Sequence, residues 1–173
     1  HAVIPDKPRL RRRSGIHSGT VQAWIPGLPS VAQGDGVYYH RDFPMTGRLI
    51  AGIGIRPGTE AADILACLDQ ALASAGLAGA QTPRFATLAS RAAEAGMVAA
   101  ATERAAELVA IPDEALKGFE AACATRSTRI ASLYGVGSVA EAAALAAAGP
   151  GGELVQPRIA TARVTCALAR SPA

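Results

Sequence analysis

Histidine is absent from residue 45 to the end of this 173-residue chain; the three present are His1, His17 and His40. That removes the commonest general base, the base of a Ser-His-Asp arrangement and the commonest metal ligand from most of the sequence. Chemistry there must rest on carboxylates, hydroxyls, a cysteine or arginine electrostatics. Cysteine is scarce as well. Cys67, Cys123 and Cys166 are odd in number, far apart and form no CxxC pair, which argues against a disulfide framework or a zinc site and suits reduced thiols in the cytoplasm. The acidic residues show no spacing typical of a dedicated metal site, so neither metal nor cofactor is expected. No run approaches the roughly 18 apolar residues of a membrane span, and the most apolar stretch, 139–149, is broken by Glu141. The basic run at 9–13 is followed by no apolar segment or cleavage site, unlike a secretory signal.

The formal charge of +3 and pI near 9.0 suggest a nucleic-acid binder until the charges are located. Within residues 1–44, six basic residues (Lys7, Arg9, Arg11, Arg12, Arg13, Arg41) face three acidic ones (Asp6, Asp35, Asp42), while the remaining 129 residues divide eleven to eleven. The surplus lies wholly at the start, and the rest offers no basic footprint for nucleic acid. Composition turns at the same point. Residues 1–44 hold the only Trp, five of eleven prolines and three alanines, against 37 alanines from Met45 onward. We expect residues 1–45 to be a mobile N-terminal arm, with Met45 a candidate start of the natural protein, and residues 46–171 to form a single domain.

From Arg48 the pattern alternates between β and α. The apolar run at 49–55 reads as a buried strand, and Pro57-Gly58-Thr59 leads into a helix whose Ile64, Leu65, Leu68 and Leu72 recur at helical spacing until Gly76. Strands are expected at 84–88 and 107–111, with a helix at 91–104 weakened by Gly96 between them. Asp113 caps a helix over 114–124; Ser127 and Ser138 open two more, ending at Gly135 and Gly149. Two strands close the chain, at 153–156 and 163–169, too near each other for a crossover helix and therefore antiparallel. The class is α/β: a three-layer α/β/α sandwich with a mixed, mostly parallel sheet of about five strands.

Gly52-Ile53-Gly54-Ile55-Arg56-Pro57-Gly58-Thr59 is the sharpest local feature. Glycines at a strand end followed by a helix N-terminus can cradle an anion, and Arg56 adds a two-pronged donor; equally, the glycines can serve only the turn and close packing. The spacing GxGxxxG departs from the dinucleotide fingerprint and no GK[ST] follows, so a nicotinamide or nucleoside triphosphate is poorly supported. Thr87, Arg91 and Glu94 follow the second strand, with Arg91 and Glu94 spaced as an i, i+3 ion pair. Ser127 and Arg129 sit at a helix start. Ser138-x-x-Glu141 reads as a capping box, each side chain satisfying the other's backbone donor. Cys166 reads as core.

Three stretches together resemble the cobalamin-biosynthesis family that includes CobE and the C-terminal domain of CbiG. The first, GIGIRPGT, agrees with that family's GIGCRRGT at Gly52, Gly54, Arg56, Gly58 and Thr59; the second is ATLASRAAEAGM from Ala86 to Met97; the third, GVGSVAEAAAL from Gly135 to Leu145, matches almost fully. The resemblance covers about residues 48–170. Departures are Ile55 for Cys, Pro57 for the second Arg, Ala89 for Asp, and Arg91 and Arg158 for Lys, which rules out a thiol-dependent role at position 55. Membership implies an α/β/α fold and a place in corrin-ring construction. The implied ligand is a precorrin or hydrogenobyrinic-acid-type tetrapyrrole, an apolar macrocycle ringed by carboxylates. The expected ligand-binding residues are Gly52, Gly54, Arg56, Gly58, Thr59, Arg91, Ser127 and Ser138. Binding and delivery to pathway methyltransferases is one expectation. A second, drawn from relatives that open a ring δ-lactone and release acetaldehyde, is a hydrolase with Glu94 or Glu141 as base. A third, a generic nucleotide-binding domain, is disfavoured by the glycine spacing.

Overall fold

A computed structural model describes residues 47–173 and, before them, the strands Val21–Ala23 (β1) and Val37–Tyr39 (β2). Leu49–Ile55 (β3) is apolar along its whole length because helices cover both faces of the sheet around it. The helix Ala61–Ser74 (α1) follows, burying Ile64, Leu68 and Ala71 at helical spacing. Then come Arg84–Leu88 (β4), Ala89–Ala92 (α2), Ala95–Glu103 (α3) and Leu108–Ile111 (β5). Asp113–Leu116 (α4) runs into a 3₁₀ helix at Lys117–Ala122. Thr128–Tyr134 (α5) and Val139–Ala148 (α6) precede the strands Glu153–Ala160 (β6) and Val164–Arg170 (β7).

The sheet order is β2-β1-β5-β4-β3-β7-β6. Neighbours from β2 through to β3 are parallel, β7 is antiparallel to β3, and β6 is antiparallel to β7. The expected mixed α/β sandwich with a C-terminal antiparallel hairpin is therefore what forms. The five strands after residue 48 agree with the expectation; β1 and β2, in a stretch assigned no strands from its sequence, extend the sheet beyond β5.

One helical layer contains α1 and α3, with Ile64, Leu68, Met97 and Ala100 packed on Phe85, Ile53 and Leu168. The other is dominated by α6, all ten of whose residues are buried and seven of which are alanine. Small side chains let its backbone lie on the sheet. A Cβ at Gly52 would collide with the Ala140 carbonyl oxygen and stand 2.6 Å from the Ala144 nitrogen, so β3 must be bare at that point.

Three local expectations need correction. The helix expected at 91–104 is two pieces, broken at Ala93 and Glu94, where Glu94 is extended at φ −60° and ψ 133°. Gly96 is not a weak point but a close-approach point, since a Cβ there would strike the Thr59 carbonyl oxygen. The helix expected at 114–124 holds its α form only to Leu116, and Pro112 rather than Asp113 occupies the capping position. β6 runs four residues past the expected end at Gln156, because an edge strand with register shifts tolerates Pro157.

Gly52→Ala should cost about 3 kcal/mol, the upper end of ordinary overpacking, because the colliding atoms are backbone. Gly118→Ala, with no atom within 4 Å of the new Cβ, should stay within about 0.5 kcal/mol in the same urea titration.

Candidate functional site

Because β6 runs parallel to β3, the turn joining β6 to β7 lies at the same edge of the sheet as the C-terminal ends of β3 and β4. A cleft of about 480 Å³ opens there, within the range of small-molecule sites. Its floor is Gly54, Thr87 and Thr165, one wall is the hairpin from Arg158 to Val164, and the other is α5. Arg56, Arg91, Arg129, Arg158 and Arg163 all line it, and among the described lining residues there is no Asp or Glu. Ile130, Leu133 and Tyr134 of α5, the helix that also carries Arg129, add an apolar surface to the lining. Leu133 is 63% exposed, the large hydrophobic side chain that the described surface leaves most open.

The floor is tied together tightly. The buried Thr87 hydroxyl donates to the Ile53 carbonyl at 2.7 Å, and the Thr165 hydroxyl to the Gly54 carbonyl at 3.4 Å. Arg56 donates its backbone N–H to the Arg163 carbonyl at 3.1 Å, and the Arg163 guanidinium donates to the Pro57 carbonyl at 2.8 Å. These two arginines thus flank the end of β3 on a shared backbone frame.

The residues expected to bind the ligand, together with the two expected bases Glu94 and Glu141, separate into two groups. Gly54, Arg56, Arg91, Ser127 and Ser138 line the cleft; Gly52, Gly58, Thr59, Glu94 and Glu141 do not. Gly52 serves the seat of α6. Arg56, Pro57, Gly58 and Thr59 form a tight turn closed by the Thr59 N–H to Arg56 carbonyl bond at 3.3 Å, with Gly58 at φ +69° as a type II turn requires. The buried Thr59 hydroxyl donates to the Arg56 carbonyl at 2.7 Å. The Gly58 N–H is directed at the Glu94 carboxylate, 3.3 Å away, which also pairs with Arg91 at 3.1 Å. The loop after β3 is therefore filled by the protein's own carboxylate, and Glu94 is engaged on both oxygens.

Ser127 caps α5, accepting from the Ile130 N–H at 3.5 Å, and Ser138 caps α6, accepting from the Glu141 N–H at 3.3 Å. The reciprocal half of the expected capping box is not what the Glu141 carboxylate does. It accepts from the Thr125 N–H at 2.9 Å, the Thr125 hydroxyl at 2.6 Å and the Arg158 N–H at 2.8 Å. Burial pushes its pKa up, but these donors outweigh burial and hold it below the ordinary carboxylate value of 4.5. Cys166 is fully buried and its thiol is pushed far up by burial, consistent with a core role.

Sequence reasoning left Arg163, Leu133 and Tyr134 outside the site. The apolar spacing of Ile130, Leu133 and Tyr134 on one helical face was a readable signal; Arg163 had none, because its position depends on β7 pairing with β3.

The family model described as cobalamin synthesis G C-terminus matches residues 49–169. The chain belongs to this family. Protein CobE of Sinorhizobium sp is 36% identical over 122 residues, which is 70% of this chain and 79% of that protein. The crystal structure of CobE, a protein from the cobalamin (vitamin B12) biosynthetic pathway, is 31% identical with a TM-score of 0.67, over 76% of this chain and 95% of that one. The cobalamin biosynthesis protein chiG from Agrobacterium tumefaciens is 37% identical with a TM-score of 0.55, over 70% of this chain and 96% of that one. A putative cobalamin biosynthesis protein G homologue from Sulfolobus solfataricus, 15% identical with a TM-score of 0.55, shares the fold. This member of the cobalamin synthesis G family thus acts in cobalamin biosynthesis. No single helix among its described residues is long and apolar enough to cross a membrane.

A carboxylate whose pKa is lower folded than unfolded adds stability that is full above the unfolded pKa and is lost as pH falls through the folded one. Stability should therefore decline as pH drops below about 4.5, level off beneath the depressed Glu141 value, and decline less steeply in Glu141→Gln. That variant should also lose about 2 kcal/mol at pH 7, from buried donors left poorly matched, as urea titrations at the two pH values would show.

Proposed function

We propose that the cleft binds a polycarboxylate tetrapyrrole of the precorrin or hydrogenobyrinic-acid type and delivers it to methyltransferases of the pathway. The observation that carries this reading is a cleft lining that combines five arginines with an apolar surface from α5 and contains no carboxylate. A ligand matching it needs several negative groups at its edge and an extended apolar body, as a corrin-type ring has. Arginine suits this task because its planar fork grips carboxylates with two parallel bonds and keeps its charge at any relevant pH. The family's role in cobalamin biosynthesis supports the same ligand class. Neither Glu94 nor Glu141 lines the cleft, and both spend their oxygens on internal donors, which favours binding over hydrolysis.

Titration of the protein with hydrogenobyrinic acid, followed by absorbance, should show saturable binding that weakens as salt rises. Arg56→Ala and Arg163→Ala should each weaken it about five- to tenfold, as expected for partly solvated charged pairs. Arg104→Ala, which removes the pair between the end of α3 and Asp69 of α1, away from the cleft, should leave it unchanged. Absence of a spectral change would overturn the reading, and acetaldehyde release from a lactone-bearing corrinoid would replace it with turnover.

A further inference from the structure

Glu141 is fully buried, and its carboxylate is used between chain segments rather than at the helix start that bears it. On one side it takes both donors of Thr125, two residues before the cap of α5. On the other it takes the backbone N–H of Arg158, whose neighbours Gln156 and Ile159 bracket a register shift in β6. Arg158 falls outside the paired register at that shift, and its N–H is taken by the carboxylate. Strand irregularities of this kind re-aim side chains at binding sites.

The two segments it holds are opposite walls of the cleft. Arg158 is one of the five arginines, and α5 supplies Arg129, Ile130, Leu133 and Tyr134. α5 has no fully buried side chain, so its own packing fixes it weakly. Beyond the partly buried Ile130 and Tyr134, which pack on the core, it is held at its base: the Thr125 bonds to Glu141, the Ser127 N–H donated to the Gly137 carbonyl at 3.0 Å, and the tight seat of Gly137 against Thr125. Keeping an ionised group in the interior is costly unless several donors are aimed at it, and three are.

We propose that Glu141 is a positioning residue for the cleft: through Thr125 and Arg158 it sets the spacing of the α5 wall and the aim of the β6 arginine, and so the affinity for the ligand, without touching it. This rests on the polycarboxylate reading above.

The test uses the full chain, hydrogenobyrinic acid as probe, and only variants shown to be folded by circular dichroism. Glu141→Gln should weaken binding about tenfold and Thr125→Val about threefold, as a displaced wall misplaces several contacts at once. The Glu141→Gln penalty should shrink in an Arg158→Ala background, because part of it acts through a side chain no longer there. Hydrogen exchange in Glu141→Gln should quicken in α5 and stay unchanged in α1. Ile64→Val, a core change in the opposite helical layer, should lower stability yet keep affinity within about twofold. Wild-type binding with unchanged affinity in folded Glu141→Gln would overturn the proposal, as would penalties that simply multiply with Arg158→Ala. If Glu141→Gln does not fold, unchanged affinity in Thr125→Val overturns it. Failure of the wild type to bind marks a different fault, the ligand assignment itself, and removes both.

Discussion

Helix α6 lies directly on β3, and nearly everything at the functional edge of the sheet follows from that contact. The Ala140 carbonyl occupies the space a Cβ at residue 52 would take, so strand and helix approach more closely than side chains ordinarily allow. Alanine on α6 and glycine on β3 are two halves of one requirement. The close seat places the start of α6 beside the end of β3, which brings Ser138 to the cleft and Glu141 within reach of Thr125 and Arg158.

The electrostatics follow the same layout. Two carboxylates lie near the cleft, and both are turned inward: Glu94 onto Arg91 and the Gly58 N–H, Glu141 onto Thr125 and Arg158. Arginines line the space itself. A domain that is neutral from residue 45 onward thus becomes locally cationic by the direction its side chains take rather than by composition. That local charge, beside an exposed leucine and a tyrosine, is the ground on which the proposed polycarboxylate ligand rests.

Much of the fold was legible in the sequence because its signals are local. Apolar runs marked β3, β4 and β5, helical spacing marked α1, glycines marked helix ends, and the short link between the last strands required them to be antiparallel. The failures share a cause. Gly96 reads as a helix breaker until the Thr59 backbone is found against it, and Pro157 ends a strand only if that strand is central rather than at the edge. The three-residue strands β1 and β2 are too short to show a period at all. In the first motif, Gly52 and Gly58 look like ligand glycines in sequence but serve a helix seat and a turn.

The sequence by itself determined the chemistry this protein has to work with: no histidine after residue 45, reduced cysteines in apolar runs, a balanced charge, and arginines at strand and helix ends. It also carried the family's three motifs in order, and with them the pathway. Tertiary structure alone decided which arginines meet, because Arg56, Arg91, Arg129 and the hairpin pair Arg158 and Arg163 come from four separate segments that come together only when β7 pairs with β3 and α6 settles on Gly52. It also decided that Glu141, whose spacing predicts a helix cap, spans two walls instead. A carboxylate's partners are set by which donors the packing leaves unmatched within 3 Å of it, and no spacing along the chain records that.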